Sequence, residues 1–156
     1  MRLVQWLLIQ KAELAMHELV YPKNNEKYIG LKTPTYRSSW EHAFMRLCDE
    51  HPNVGKWASE SIKIPYRHPL TGKYTIYVPD FFVVYVDKNG KKNAELIEVK
   101  PKSQTNIVNA GKSQGKKKQA VINMAKWEAA SAYAKQNKIR FRVVSEDQLF
   151  HSGTRK

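Results

Sequence analysis

The chain of 156 residues is 42% hydrophobic and 11% aromatic, which suffices for one ordinary core and excludes a wholly disordered chain. Its 27 Lys and Arg against 14 Asp and Glu give a formal charge of +13 and an isoelectric point near 9.8, a balance suited to nucleic acid rather than to acidic partners. The one cysteine, Cys48, excludes an intramolecular disulfide and a cysteine-built zinc site, and fits a reducing, intracellular compartment.

The opening stretch "MRLVQWLLIQKAELAMHELV" is expected to form an amphipathic helix over residues 2–19. Its apolar run, residues 6–9, is too short for a signal peptide, and Lys11 and Glu13 follow with no small-residue cleavage pattern. No run approaches the ~18 apolar residues of a membrane span, so no membrane partner is expected. The chain divides on this reading into an N-terminal helical appendage, residues 1–20, and a single domain, residues 21–156.

Residues 21–36, with Pro22, Gly30 and Pro34, read as a loop or extended arm. "SSWEHAFMRLCDEH" follows as a helix, with Ser38 or Ser39 as N-cap, Glu41 in its first turn and Trp40, Ala43, Phe44 and Leu47 as its apolar face. Cys48 reads as a small core residue. "PNVG" is expected to end the helix. "SESIKIPYRHP" is a candidate strand, "LTG" a turn, and "KYTIYVPD" a second strand with Tyr74, Ile76 and Val78 on one face. "FFVVYV" is continuously apolar, the mark of a central strand covered on both sides. Asn89-Gly90 signals a hairpin turn, and "AELIEVK" is the returning strand. A polar, basic loop leads into a helix over residues 116–138, whose stripe runs through Ala120, Met124, Trp127 and Ala134. "IRFRVVSE" is the last strand.

Within this frame Glu98 and Lys100 share one face of their strand, and the hairpin brings Asp80, just after Pro79, to their level. Singly, Asp80 is an ordinary turn residue, and Glu98 with Lys100 an exposed pair. Together they sit among Val83, Val84, Leu96 and Ile97, where solvated charge has little use. Two carboxylates at close range repel unless a cation lies between them, and an all-oxygen set suits Mg²⁺ or Mn²⁺. The lysine can polarise a water or steady charge on a phosphate. Lys102, Lys112, Lys116, Lys117 and Lys118 form a basic run beside this constellation and are candidate DNA contacts, with Arg37 and Arg67 as weaker ones. Tyr66, Tyr74 and Tyr77 are aromatic candidates for a DNA-facing surface. "NAGKS" is not a phosphate loop, because Asn106 stands where its first glycine is needed. The five histidines show no metal-ligand spacing.

Pro79-Asp80 followed by Glu98-Val99-Lys100 resembles the PD-(D/E)XK nuclease superfamily. The resemblance implies an α+β, restriction-endonuclease-like core of αβββαβ order, with a mixed sheet flanked by helices. It further implies that Asp80 and Glu98 hold Mg²⁺, with Mn²⁺ able to substitute, that Lys100 assists the attacking water, and that Glu41 completes the metal site. Gln119, early on the long helix, would face the scissile phosphate. Residues 23–150 are similar to the tailed-phage head-completion nucleases, with related patterns in transposon end-cutting, homing-endonuclease and resolvase branches. The expectation is a phage-encoded, Mg²⁺-dependent DNA endonuclease, meeting phage head or portal proteins, working in the host cytoplasm or with the virion, and plausibly homodimeric. The alternatives are a non-catalytic DNA-binding or capsid-assembly protein on the same fold, or a structure-specific or homing endonuclease.

Overall fold

A computed structural model describes residues 18–105 and 110–145. In chain order it contains β1 (Glu18–Leu19), β2 (Thr35–Tyr36), α1 (Ser39–Glu50), β3 (Val54–Ser59), β4 (Ile64–Arg67), β5 (Tyr74–Tyr77), β6 (Phe81–Val86), β7 (Lys92–Val99), a 3₁₀ turn (Lys102–Gln104), α2 (Gln114–Gln136) and β8 (Arg140–Val144). The four-stranded main sheet has the order β3-β6-β7-β8. The pairs β3/β6 and β6/β7 are antiparallel, and β7/β8 is parallel. This mixed sheet between helices is the restriction-endonuclease-like α+β core that the motif implied.

The first core strand is β3, which the sequence reading missed, taking "PNVG" at its start for the end of α1. Its burial is irregular, with Val54, Trp57 and Ala58 inside, and its register with β6 shifts between Val54 and Lys56. A bulge of that kind destroys the alternation by which a strand is recognised. The expected strands around residues 62–64 and 74–78 instead form a separate two-stranded sheet, β4-β5. They are inserted between the first and second core strands.

One sheet face packs on α1 through Phe44, Met45, Cys48, Trp57, Phe81, Val83, Ile97, Val99 and Val144. The other packs Leu96 and its neighbours on α2 and on the inner face of the β4-β5 hairpin through Ile64, Tyr66, Tyr77 and Ala130. Ser38 caps α1, its hydroxyl accepting the Glu41 N–H at 3.2 Å. The buried face of α1 is Phe44, Met45, Cys48 and Asp49, while Leu47, expected inside, is 42% exposed. On α2, Met124 likewise lies outside, and Asn123 takes a buried place. Cys48 is buried as expected, and burial pushes its thiol well above its ordinary value.

The last two residues of the expected N-terminal helix, Glu18 and Leu19, are strand; the rest of that helix lies outside the described residues. The arm after β2's partner is tied down at two places. Asp49 accepts the Lys23 and Asn24 backbone N–H groups at 2.9 and 3.3 Å. Further along, Trp57 N–H donates to the Lys27 carbonyl and Ile29 N–H to the Trp57 carbonyl, both at 2.9 Å. The arm therefore runs along the outer edge of β3, with the Tyr28 ring edge-on to Trp57 at 4.6 Å. A Cβ at Gly30 would run into the Tyr28 hydroxyl, so a larger residue there must displace that ring. No helix among the described residues is long and apolar enough to cross a membrane.

Candidate active site

The β6-β7 hairpin sets the site. Its turn is fastened by Asp87, whose Oδ1 accepts the Asn89 and Lys91 N–H groups at 2.9 and 3.0 Å, and by Gly90 at φ +77°. The register pairs Phe81 with Ile97, which brings Asp80 beside Glu98 at the far end of the hairpin. Asp80 Oδ2 accepts the Val99 N–H at 2.8 Å, and the Asp80 N–H donates to Glu98 Oε2 at 3.3 Å. Lys100 Nζ stands 3.3 Å from Glu98 Oε1. The three residues expected to meet do meet.

Glu98 is only 4% exposed. A buried carboxylate needs donors, and the Tyr77 hydroxyl supplies one to Oε2 at 2.7 Å. Burial, and then the neighbouring Glu98 charge, hold the Tyr77 phenol far above its ordinary value, so it remains a donor. Asp80 is also pushed well above the usual carboxylate range. Burial is the largest cause and the Glu98 charge the next; Glu41 adds to the rise, while the Val99 N–H and Lys100 oppose it. The site thus holds more negative charge than Lys100 balances.

Glu41 acts on Asp80 from the first turn of α1, and its carboxylate also accepts the Arg37 N–H at 3.1 Å. That is the return arm of a capping box, here reaching one residue before the N-cap. Among the described residues no three His, Cys, Asp or Glu side chains gather as a ligand set. Asp80 and Glu98 alone offer hard oxygen donors with unbalanced charge, which fits a divalent cation that keeps much of its water shell. Gln119 is exposed and donates to Asn123 Oδ1 at 3.0 Å, and Asn123 donates in turn to the Gln104 carbonyl. Lys116, Lys117 and Lys118 lie in the first turns of α2, which has no acidic residue there. Cations at a helix N-terminus oppose its dipole, so these lysines do not serve helix stability. Lys112 is exposed just before them, and Lys102 opens the 3₁₀ turn after β7. Arg37 pairs with Glu60 at 3.3 Å.

Two neighbours of the site escaped the sequence reading. Tyr77 was a candidate for the DNA-facing surface, yet it is buried against Glu98, and Tyr66 is buried as well. Its signal was faint: a phenol on a strand beside the motif must find an acceptor if it turns inward. Glu60 adopts φ +48°, and its N–H donates to the Asp80 carbonyl at 2.9 Å. A left-handed non-glycine residue at the end of β3 fixes the backbone from which Asp80 projects, and nothing in the sequence announces it.

The mixed sheet, its flanking helices and the paired acids at the end of one hairpin define the architecture of a restriction-endonuclease-like protein. Residues 51–146 match the family described as TnsA-like endonuclease N terminal. Over 138 residues the chain is 35% identical to the head completion nuclease of Enterobacteria phage T4, covering 82% of this chain and 89% of that protein. The chain belongs to the TnsA-like endonuclease family.

Proposed function

We propose that this chain is a divalent-metal-dependent DNA endonuclease that acts in completing phage heads. The observation that carries the reading is the convergence of Asp80, Glu98 and Lys100 at one end of the β6-β7 hairpin, with a charge imbalance that a cation relieves. The likeness to a head completion nuclease over most of both chains supports the setting.

Asp80 and Glu98 would hold the ion, Mg²⁺ or Mn²⁺, with Glu41 supporting it directly or through water. When bound, such an ion offsets phosphate charge and makes a water more acidic. The protein's own residues do the rest. Tyr77 and the Asp80 N–H fix Glu98 Oε2, so its carboxylate cannot swing. Lys100, 30% exposed beside Glu98 Oε1, orients the attacking water and stabilises charge as it builds on the phosphate. Lys102, Lys112, Lys116, Lys117 and Lys118, with Arg37, seat the DNA backbone around this point, and Gln119 borders it.

The test is cleavage of plasmid and branched DNA with Mg²⁺, Mn²⁺ or EDTA, wild type beside Lys100→Ala. Metal-dependent cutting that the variant loses is the expected result. Salt-sensitive DNA binding with no cutting of any substrate would overturn the reading in favour of a DNA-binding assembly protein.

A further inference from the structure

The β4-β5 hairpin stands outside the main sheet. Its strands pair only with each other, Ile64 opposite Tyr77 and Arg67 opposite Tyr74. The inner face, Ile64, Tyr66 and Tyr77, packs on α2 and Leu96. The outer face presents Pro65, Arg67, Tyr74 and Ile76, with Tyr74 79% and Ile76 53% exposed. Packing on α2 holds the two-stranded ribbon in place, and its bare side, with Tyr74 and Ile76 exposed, is available for a partner.

The composition narrows the partner. Residues 61–79 contain Lys63, Arg67, His68, Lys73 and no Asp or Glu. The tip is rigid: His68 Nδ1 accepts the Leu70 and Thr71 N–H groups at 3.2 and 3.4 Å, and Arg67 Nε donates to the Gly72 carbonyl at 3.0 Å. A preformed cationic and aromatic ribbon complements a polyanion. The hairpin is also continuous with the site, since β5 runs through Val78 and Pro79 into Asp80, and Tyr77 touches Glu98. At ~3.3 Å per residue, Tyr74 reaches at most ~20 Å from Asp80, or about six base pairs of duplex.

We propose that the outer face and the tip of the β4-β5 hairpin form a duplex-binding surface that grips DNA beside the scissile phosphate, with Arg67 on the face and Lys73 at the tip on phosphates and Tyr74 against the backbone. This rests on the reading of the chain as a DNA nuclease. The hairpin adds a contact area separate from the lysines at the start of α2.

The test is fluorescence anisotropy with the full chain in EDTA, using a labelled duplex of about 30 base pairs, longer than the ~6 that the hairpin can reach. The double variant Arg67→Glu, Lys73→Glu should weaken binding at least about tenfold and reduce the salt slope by about two, and Tyr74→Ala should weaken it severalfold. Lys91→Glu with Lys92→Glu makes the same charge change at the opposite end of the sheet and should have a much smaller effect. The substituted side chains are exposed, and circular dichroism with thermal melting verifies that each variant folds. Equal losses in the two double variants would reduce the effect to net charge and overturn the proposal. Unchanged duplex affinity in both hairpin variants would also overturn it, leaving the face to a protein partner. Because EDTA removes cleavage, these outcomes are independent of whether Asp80, Glu98 and Lys100 cut DNA.

Discussion

The Tyr77 hydroxyl donates to Glu98 Oε2 at 2.7 Å, from a strand outside the main sheet to a carboxylate at the end of one of its inner strands. The inserted hairpin thereby becomes part of the site's support. Tyr77→Phe removes the donor and leaves a buried carboxylate oxygen underserved, at about 1–3 kcal/mol of stability. Cleavage should fall about 10- to 100-fold, with a higher Mg²⁺ requirement, as losses of residues behind metal ligands generally produce. A Mg²⁺ titration of the rate for both proteins measures this; unchanged Mg²⁺ dependence would confine Tyr77 to packing.

Asp80 should make the ion-free protein less stable as pH rises. Its folded pKa is raised, chiefly by burial and by Glu98. Above its ordinary value of ~3.9 the unfolded chain sheds this proton before the folded one does, so stability falls until the raised value is passed. At neutral pH Asp80→Asn, which keeps an acceptor for the Val99 N–H, should therefore melt higher than wild type in EDTA. The expected gain is ~2–4 °C per kcal/mol released. Mg²⁺ should raise the wild-type midpoint and leave the variant's nearly unmoved. A variant that melts lower would show that the buried charge is already compensated.

Activity should carry the same signature. With Asp80 required in its ionised form, the cleavage rate at limiting Mg²⁺ should climb with pH through a region above the ordinary carboxylate range. The rise should move to lower pH as Mg²⁺ is increased, because the ion competes with the proton. A pH–rate series at two Mg²⁺ concentrations tests it.

Lys100→Met should abolish most cutting, by about 10²- to 10³-fold, if the lysine stabilises charge in the transition state. Its side chain is partly exposed, so folding should survive. A single-turnover assay at saturating DNA separates this from weakened binding.

Glu41 has both a capping and a chemical duty, and two substitutions divide them. Glu41→Gln keeps an acceptor for the Arg37 N–H and should alter stability by less than ~0.5 kcal/mol. Glu41→Ala loses the cap as well and should melt lower. If Glu41 supports the ion, both should cut about tenfold more slowly. Full activity in Glu41→Gln would assign the residue to the helix alone.

The sequence made the Asp80, Glu98 and Lys100 convergence legible because two strong local signals agreed: a hairpin turn at Asn89-Gly90 and a residue pair two apart on a buried strand. It made β6, β7 and both helices legible for the same reason, since their patterns are continuous. The failures have separate causes. β3 is missed because the bulge between Val54 and Lys56 breaks its period. Tyr74 and Ile76 alternate faithfully, but period does not say which side is buried, and here the apolar set faces out. Leu47 and Met124 lie at the margin of their helical stripes, where a rotation of one residue decides burial. Glu60 and Tyr77 act through tertiary geometry alone.

The strip of chain at residues 27–29 occupies the backbone donors and acceptors of Trp57 on the free side of β3. A sheet edge left open is a template on which another strand can polymerise. With Tyr28 laid over that edge, strand-on-strand joining at Trp57 is closed. A second copy of the chain would have to meet this one at another surface.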